Sequence, residues 1–238
     1  MRRTKLLISV RSAEEARIAL GAGADIIDVK EPTRGSLGRC SPETIQEIAK
    51  SIAAQAPLSV ALGEWYQSKN WSLPQNIAWA KVGFTRCSTA SERHRGWLAW
   101  LNAQRKLKSI RLIGVVYADR IRVNGPCFSQ VHEWVESTKK LSAHPPGILI
   151  DTAIKDGRGL LAWHSLNALR RYQEHCLRHG LFLALAGSLT FADVLLLKQS
   201  VQPDVIAVRG AACAGSARVA SIQPDRVRSL AQCLRAGS

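Results

Sequence analysis

The sequence has no Cys-x-x-Cys pair, and its six cysteines (Cys40, Cys87, Cys127, Cys176, Cys213 and Cys233) are scattered along 238 residues. That spacing excludes a zinc ribbon and a disulfide framework, so reduced thiols in a cytoplasmic protein are the expectation. No apolar run approaches the ~20 residues of a membrane helix. The basic start, Met1 to Lys5, precedes too few apolar residues for a secretory leader. A cytoplasmic location with no membrane partner is therefore expected. No Gly-rich turn follows the first apolar run, and no ligand cluster has metal-binding spacing, so neither a nicotinamide cofactor nor a metal is expected. Acidic residues are scarce: 18 Asp and Glu stand against 33 Lys and Arg, a formal charge of +15. Charge of this size gives non-specific affinity for polyanions without defining a function.

Hydrophobic residues make up 46% of the chain, which excludes disorder as the dominant state. With no linker or composition shift, residues 1–238 read as one domain. What recurs is a β-branched or apolar run followed by a helical pattern. The runs are 5–10, 25–30, 58–62, 78–84, 111–118, 147–154, 181–186 and 204–209. Helices are expected over 12–20, from 41 onward, within 68–77, and over 92–107, 129–141, 165–179, 191–199 and 224–234. Ser12 with Glu15 has the spacing of a capping box, and Pro42 suits a first helical position. Eight such units in this length predict an α/β fold, a single (β/α)8 TIM barrel.

In that fold, chemistry sits at the carboxyl ends of the strands. Alternation puts Asp28 and Lys30 on one face of the second strand, and Asp151 and Lys155 on one face of the sixth. Lys81 lies within the fourth strand between Ala80 and Val82, and Arg209 closes the eighth. A lysine in a parallel strand, covered on both faces, is costly unless it snorkels to a rim. Three near the exit end point instead to a cationic mouth. There a neutral amine could form a Schiff base, while Asp28 and Asp151 hold neighbouring ammonium groups or move protons.

Gly187-Ser188 and Gly210-Ala211 follow the last two strands, where this fold keeps phosphate sites. Arg209 would add bidentate contacts, and Gly35-Ser36-Leu37-Gly38 would close over a substrate. His175 and His179 are one helical turn apart, but no third ligand is evident, so a solvated helix face is expected. Trp97, Trp100 and Trp134 read as packing. Cys87 and Cys213 follow strands and border the expected mouth, with no histidine motif to make them nucleophiles.

The segments DIIDVKEP (25–32), GSLG (35–38), KVG (81–83), DTAIKDG (151–157), LAGS (185–188) and VRGAAC (208–213) run in order along nearly the whole chain. Together they resemble the (5-formylfuran-3-yl)methyl phosphate synthase family of methanofuran biosynthesis. Gly63-Glu64 stands where that family tends to carry Gly-Asp. The resemblance implies a lyase that joins two glyceraldehyde 3-phosphate molecules, with loss of one phosphate and water. It implies that Lys30 forms the Schiff base and Lys81 accepts a proton. Asp151 and Lys155 would assist proton transfer and charge control.

The partner expected is thus a small triose phosphate. A class I aldolase acting on sugar phosphates is the alternative enzyme. A basic nucleic-acid-binding barrel is the alternative outside enzymes, resting on the charge and on Arg93, Arg95, Arg105, Lys106 and Lys108. No specific nucleic acid is expected. The oligomeric state stays open, a homo-oligomer included.

Overall fold

A computed structural model describes residues 3–67 and 73–236. Eight parallel strands close into a barrel in chain order. They are β1 (Lys5–Val10), β2 (Ile26–Val29), β3 (Leu58–Glu64), β4 (Ile77–Gly83), β5 (Arg111–Tyr117), β6 (Gly147–Asp151), β7 (Phe182–Leu185) and β8 (Val205–Val208). Pairing of Lys5 with Val205 through Ile8 with Val208 joins the last strand to the first. The helices are α1 (Ala13–Gly21), α2 (Pro42–Ser51), α3 (Ala90–Lys106), α4 (Phe128–Ser137), α5 (Leu166–Arg178), α6 (Phe191–Ser200) and α7 (Pro224–Arg235). The helix expected within 68–77 lies largely outside the described residues. Its described part is a turn that leads directly into β4.

Alternation along the strands sorts their side chains into two cores. Leu6, Ile8, Ile27, Val29 and Val60 face outward and pack beneath the helices. Leu7, Ile26, Trp79, Ile113, Leu149 and Val205 fill the barrel. Toward the carboxyl ends this inner lining turns polar. Register sets Ser9 beside Asp28, Ala61 beside Lys81 and Tyr117 beside Asp151.

Two local devices differ from the sequence reading. Ser12 Oγ caps α1 by accepting from Glu15 N at 3.2 Å, as expected. The Glu15 carboxylate does not complete the box; it accepts from Arg11 N at 2.9 Å and pairs with Arg209. The sixth strand stops at Asp151 rather than running to 154. The Asp151 carboxylate accepts from Thr152 N at 2.7 Å, and Asp119 accepts from Ala153 N and Ile154 N at 2.7 and 2.9 Å. Side chains thus take the amide donors that a longer strand would give to a neighbour, and the chain leaves the sheet.

Candidate active site

A cavity of about 770 Å³ opens at the carboxyl end of the barrel. Among its lining residues are Ser9, Lys30, Lys81, Asp151, Lys155 and Arg218. Lys81 is carried by the middle of β4 and is only 4% exposed, so it does not snorkel to the rim. Its Nζ lies 2.5 Å from Asp28 Oδ1, and Ser9 Oγ donates to the other oxygen of Asp28 at 2.9 Å. Asp28 is fully buried. Burial alone would raise its pKa, but the Lys81 and Lys30 cations and their hydrogen-bonding neighbours pull it below the ordinary carboxylate value.

Lys155 reaches the same mouth by a different route from the one alternation implied. It stands in the loop after β6 and bends back, its Nζ donating to Asp151 Oδ1 at 2.7 Å and to Thr152 Oγ1 at 2.9 Å. Ser36 Oγ donates to Asp151 Oδ2 at 3.0 Å and to the Thr152 carbonyl at 2.9 Å. Against the cost of burial, Lys155, Lys30 and these hydrogen bonds hold Asp151 down at about 2.

Lys30 is the exception among the three lysines. Its backbone N–H still extends the ladder to Val10 O at 3.0 Å, while its half-buried side chain has no hydrogen bond or ion pair among the described residues. Burial lowers its pKa to about 8; the Lys81 and Lys155 cations push the same way, and Asp151 and Asp28 oppose them. Roughly one amine in ten is then neutral at pH 7 and about half at pH 8. Trapping of an aldehyde on the protein with borohydride should therefore rise with pH about a midpoint near 8. A midpoint near the ordinary lysine value of 10.5 would show that the neighbours do not act on this amine.

The loop after β2 already lies across the mouth. Leu37 is packed into the inner core, Ser36 is bonded to Asp151, and Arg218 donates to the carbonyls of Pro32 and Gly35 at 2.9 and 3.0 Å. Gly38 has to be glycine here, since a Cβ would stand 2.0 Å from the Glu31 carbonyl oxygen. At the end of the adjacent strand β3, Glu64 is bonded to the Tyr117 hydroxyl and to Thr85 N, the latter at 2.8 Å. Burial raises the Glu64 pKa. A Cβ on Gly83 would lie 2.5 Å from the Glu64 carboxylate, so the KVG glycine makes room for this pair.

Gly187, Ser188, Gly210 and Ala211 line the cavity together. Gly187 and Ser188 both have positive φ, 106° and 48°, which turns successive amides toward one side. Neither amide donates to protein among the described residues. Arg209 also borders the cavity, but its guanidinium is engaged elsewhere. Nη1 donates to Ser9 O and Glu15, Nη2 to Glu15 and Ala220 O, and Nε to Arg218 O. All five N–H groups are thus taken. Arg209 ties the end of β8 to β1 and α1, whereas Arg218, bonded only through Nη2, is a cavity cation with spare donors. Cys87 and Cys213 do not line the cavity, and burial pushes the Cys87 thiol up to about 12.

Ser9, Ser36, Asp119 and Arg218 were not singled out from sequence. Each is a common polar residue whose role appears only when distant strands meet, although Ser36 lies in a loop that the sequence did mark.

Lysines and carboxylates converging at the carboxyl ends of a closed parallel barrel define a (β/α)8-barrel enzyme. The chain belongs to the 4-HFC-P synthase family, whose model matches residues 6–231. It is 31% identical to (5-formylfuran-3-yl)methyl phosphate synthase of Methanosarcina mazei, covering 96% of this chain and 99% of that one. A Methylorubrum extorquens protein provisionally given the same name is 33% identical over 99% of this chain and 93% of its own length. Among solved structures, phosphoribosylanthranilate isomerase of Thermotoga maritima superposes with a TM-score of 0.60 at 14% identity, covering 98% of this chain and 99% of that one. At that identity the likeness shows the barrel fold alone.

Proposed function

We propose that the chain is a Schiff-base lyase that condenses two molecules of glyceraldehyde 3-phosphate to 4-(hydroxymethyl)-2-furancarboxaldehyde phosphate, in the biosynthesis of methanofuran-type cofactors. The observation that carries this reading is Lys30. It is an unpaired amine at about 8, set in the cavity beside two lysines that each hold a carboxylate. The names of the relatives support the product.

Lys30 Nζ attacks the aldehyde carbon of one triose, and water leaves as the iminium forms. The iminium withdraws electrons and acidifies the neighbouring C–H. The Lys81–Asp28 pair takes that proton, and the C–O bond to phosphate breaks with its electrons leaving on phosphate. A C–C bond to the second triose joins the two three-carbon units, and its carbonyl oxygen is protonated from the Lys155–Asp151 pair. Ring closure and dehydration complete the furan. Hydrolysis of the imine returns Lys30 and consumes the water lost at the start. In sum, two triose phosphates give one furan phosphate, one phosphate and two waters.

The retained phosphate is held by the amides of Gly187, Ser188, Gly210 and Ala211 together with Arg218. Arg218→Met is expected to raise KM by ~10- to 100-fold, the contribution of a charge-assisted contact, with little change in Tm. Arg209→Met should instead lower Tm, because it leaves the buried Glu15 with only the longer, more exposed Arg11 contact. An unchanged KM in Arg218→Met would remove that residue from the phosphate site.

Purified protein incubated with glyceraldehyde 3-phosphate should produce an ultraviolet-absorbing furan aldehyde and one free phosphate per furan. Accumulation of a six-carbon sugar phosphate with no phosphate released would replace this reading with the class I aldolase.

A further inference from the structure

Helices α4 and α5 meet on the outside of the barrel along a seam where Phe128 stacks on Tyr172, with ring centroids 4.2 Å apart. Further along α4 come His132 and Glu136, one turn apart. On the facing side, α5 brings His175 and, at its carboxyl cap, His179. The i, i+4 spacing sets each pair on one face of its helix, so four ligand-bearing side chains meet across the seam. None of them lines the cavity at the mouth.

The three imidazoles form a compact group. Ring centroids are 4.2 Å apart for His132 and His175, and 4.6 Å for each of the other two pairs. One ring nitrogen from each lies within 4.8 Å of the others. His132 is only 8% exposed, and its Nε2 is buried without a hydrogen-bond partner. Glu136 Oε1 stands 3.9 Å from His179 Nδ1, while its Oε2 is also buried and unpartnered. Buried polar atoms are nearly always satisfied, so two orphans within one cluster of side chains point to a missing partner that accepts lone pairs. Hydrogen-bond donors supplied by the protein do not fill that role. Lys139 is spent on the His179 carbonyl and lies 3.9 Å from Glu136 Oε1.

We propose that His132, His175 and His179 bind a divalent late transition-metal ion, zinc by preference, with Glu136 or a water as the fourth ligand, and that the ion clips α4 to α5. Three imidazoles and one oxygen suit tetrahedral zinc, with nitrogens at about 2.0–2.1 Å from the metal. Calcium and magnesium require oxygen-rich shells and do not fit this donor set. His175 and His179 are half-buried, which leaves their rings room to close on an ion. Burial and repulsion from the other two histidines also hold His132 below its ordinary pKa, favouring the neutral form that ligates. From sequence only the His175–His179 pair was visible. The third ligand comes from a helix earlier in the chain and reaches the pair only through the barrel's winding.

The test uses full-length protein without a histidine tag, stripped with chelator and titrated with zinc chloride by calorimetry, with thermal melting in parallel. One zinc per chain at micromolar or tighter affinity, with Tm raised by several degrees, is the expected result. His175→Ala and His179→Ala should melt like the metal-free wild type and bind zinc at least ~100-fold more weakly. Cobalt(II) bound to the wild type should show the visible absorption of a tetrahedral nitrogen–oxygen site, which requires no variant. Stripping the metal should leave trapping at Lys30 unchanged. Absence of zinc binding to the wild type, or equal binding by both variants, overturns the proposal.

Discussion

Lys30→Ala should abolish turnover of glyceraldehyde 3-phosphate, by ~10⁴-fold or more, while making the folded protein more stable at neutral pH. The loss follows from removal of the proposed nucleophile, for which no neighbouring group can substitute. Lys81 and Lys155 both carry carboxylate partners at hydrogen-bonding distance, and only Lys30 offers a free amine. The gain in stability follows from the same environment. Folding lowers the Lys30 pKa from 10.5 to about 8, so below pH 8 the native state has to hold an ammonium in a place that disfavours it. This cost is fully present below the folded pKa, declines as pH rises from 8 to 10.5, and is absent above the unfolded value. Relief of ~1–3 kcal/mol at pH 7, after allowance for partial solvent screening, should appear in denaturant unfolding. A variant that stays active, or loses stability, would contradict the role given to this side chain.

Lys81→Met should do the opposite to stability. It removes the ion-pair partner of a fully buried carboxylate, and Asp28 then keeps the Ser9 hydrogen bond and only the more distant Lys30 charge. Breaking a buried ion pair on one side costs about 3–5 kcal/mol. Activity should fall by ~10²–10⁴, the range for a lost proton-transfer group. A further consequence separates positioning from chemistry. Lys81 helps keep the Lys30 pKa low, so its removal should move the midpoint of borohydride trapping upward from about 8. Asp28→Asn should move that midpoint downward, because Asp28 acts on Lys30 in the opposite sense. The double variant Asp28→Asn/Lys81→Met should recover much of the stability and none of the activity. Recovery of activity in the double variant would mean that the pair only supports the fold.

The order of strands and helices was legible because each unit carries its own signal, a short apolar run followed by a helical pattern. Boundaries were less so where side chains compete for backbone donors. Nothing in the run 147–154 shows that Asp119, from another loop, takes the amides of Ala153 and Ile154 and ends the strand early. Alternation put Asp28 on one face with Lys30 and left Lys81 between two apolar neighbours, and the structure brings Asp28 and Lys81 to 2.5 Å from strands that are not neighbours. Arg209 shows the limit of such reasoning. Its position at the end of β8 suggested a phosphate ligand, yet its donors are consumed by Glu15 and by the carbonyls of Ser9, Arg218 and Ala220, which a strand pattern does not reveal. Arg218, in the loop between β8 and α7, carried no motif at all.

The large positive charge also separates into two parts. Lys30, Lys81 and Lys155 are drawn into the barrel mouth with two carboxylates. Residues such as Arg95, Arg105, Lys106 and Lys108 lie exposed on or just after α3, on the outer layer. Charge on that layer affects solubility and the approach of anions without taking part in the chemistry.

The proposed reaction turns on a covalent adduct at Lys30. Protein incubated with glyceraldehyde 3-phosphate, reduced with borohydride and digested, should yield a single modified peptide whose added mass sits on Lys30. An adduct confined to Lys81, or no adduct in protein that is turning over substrate, would contradict it.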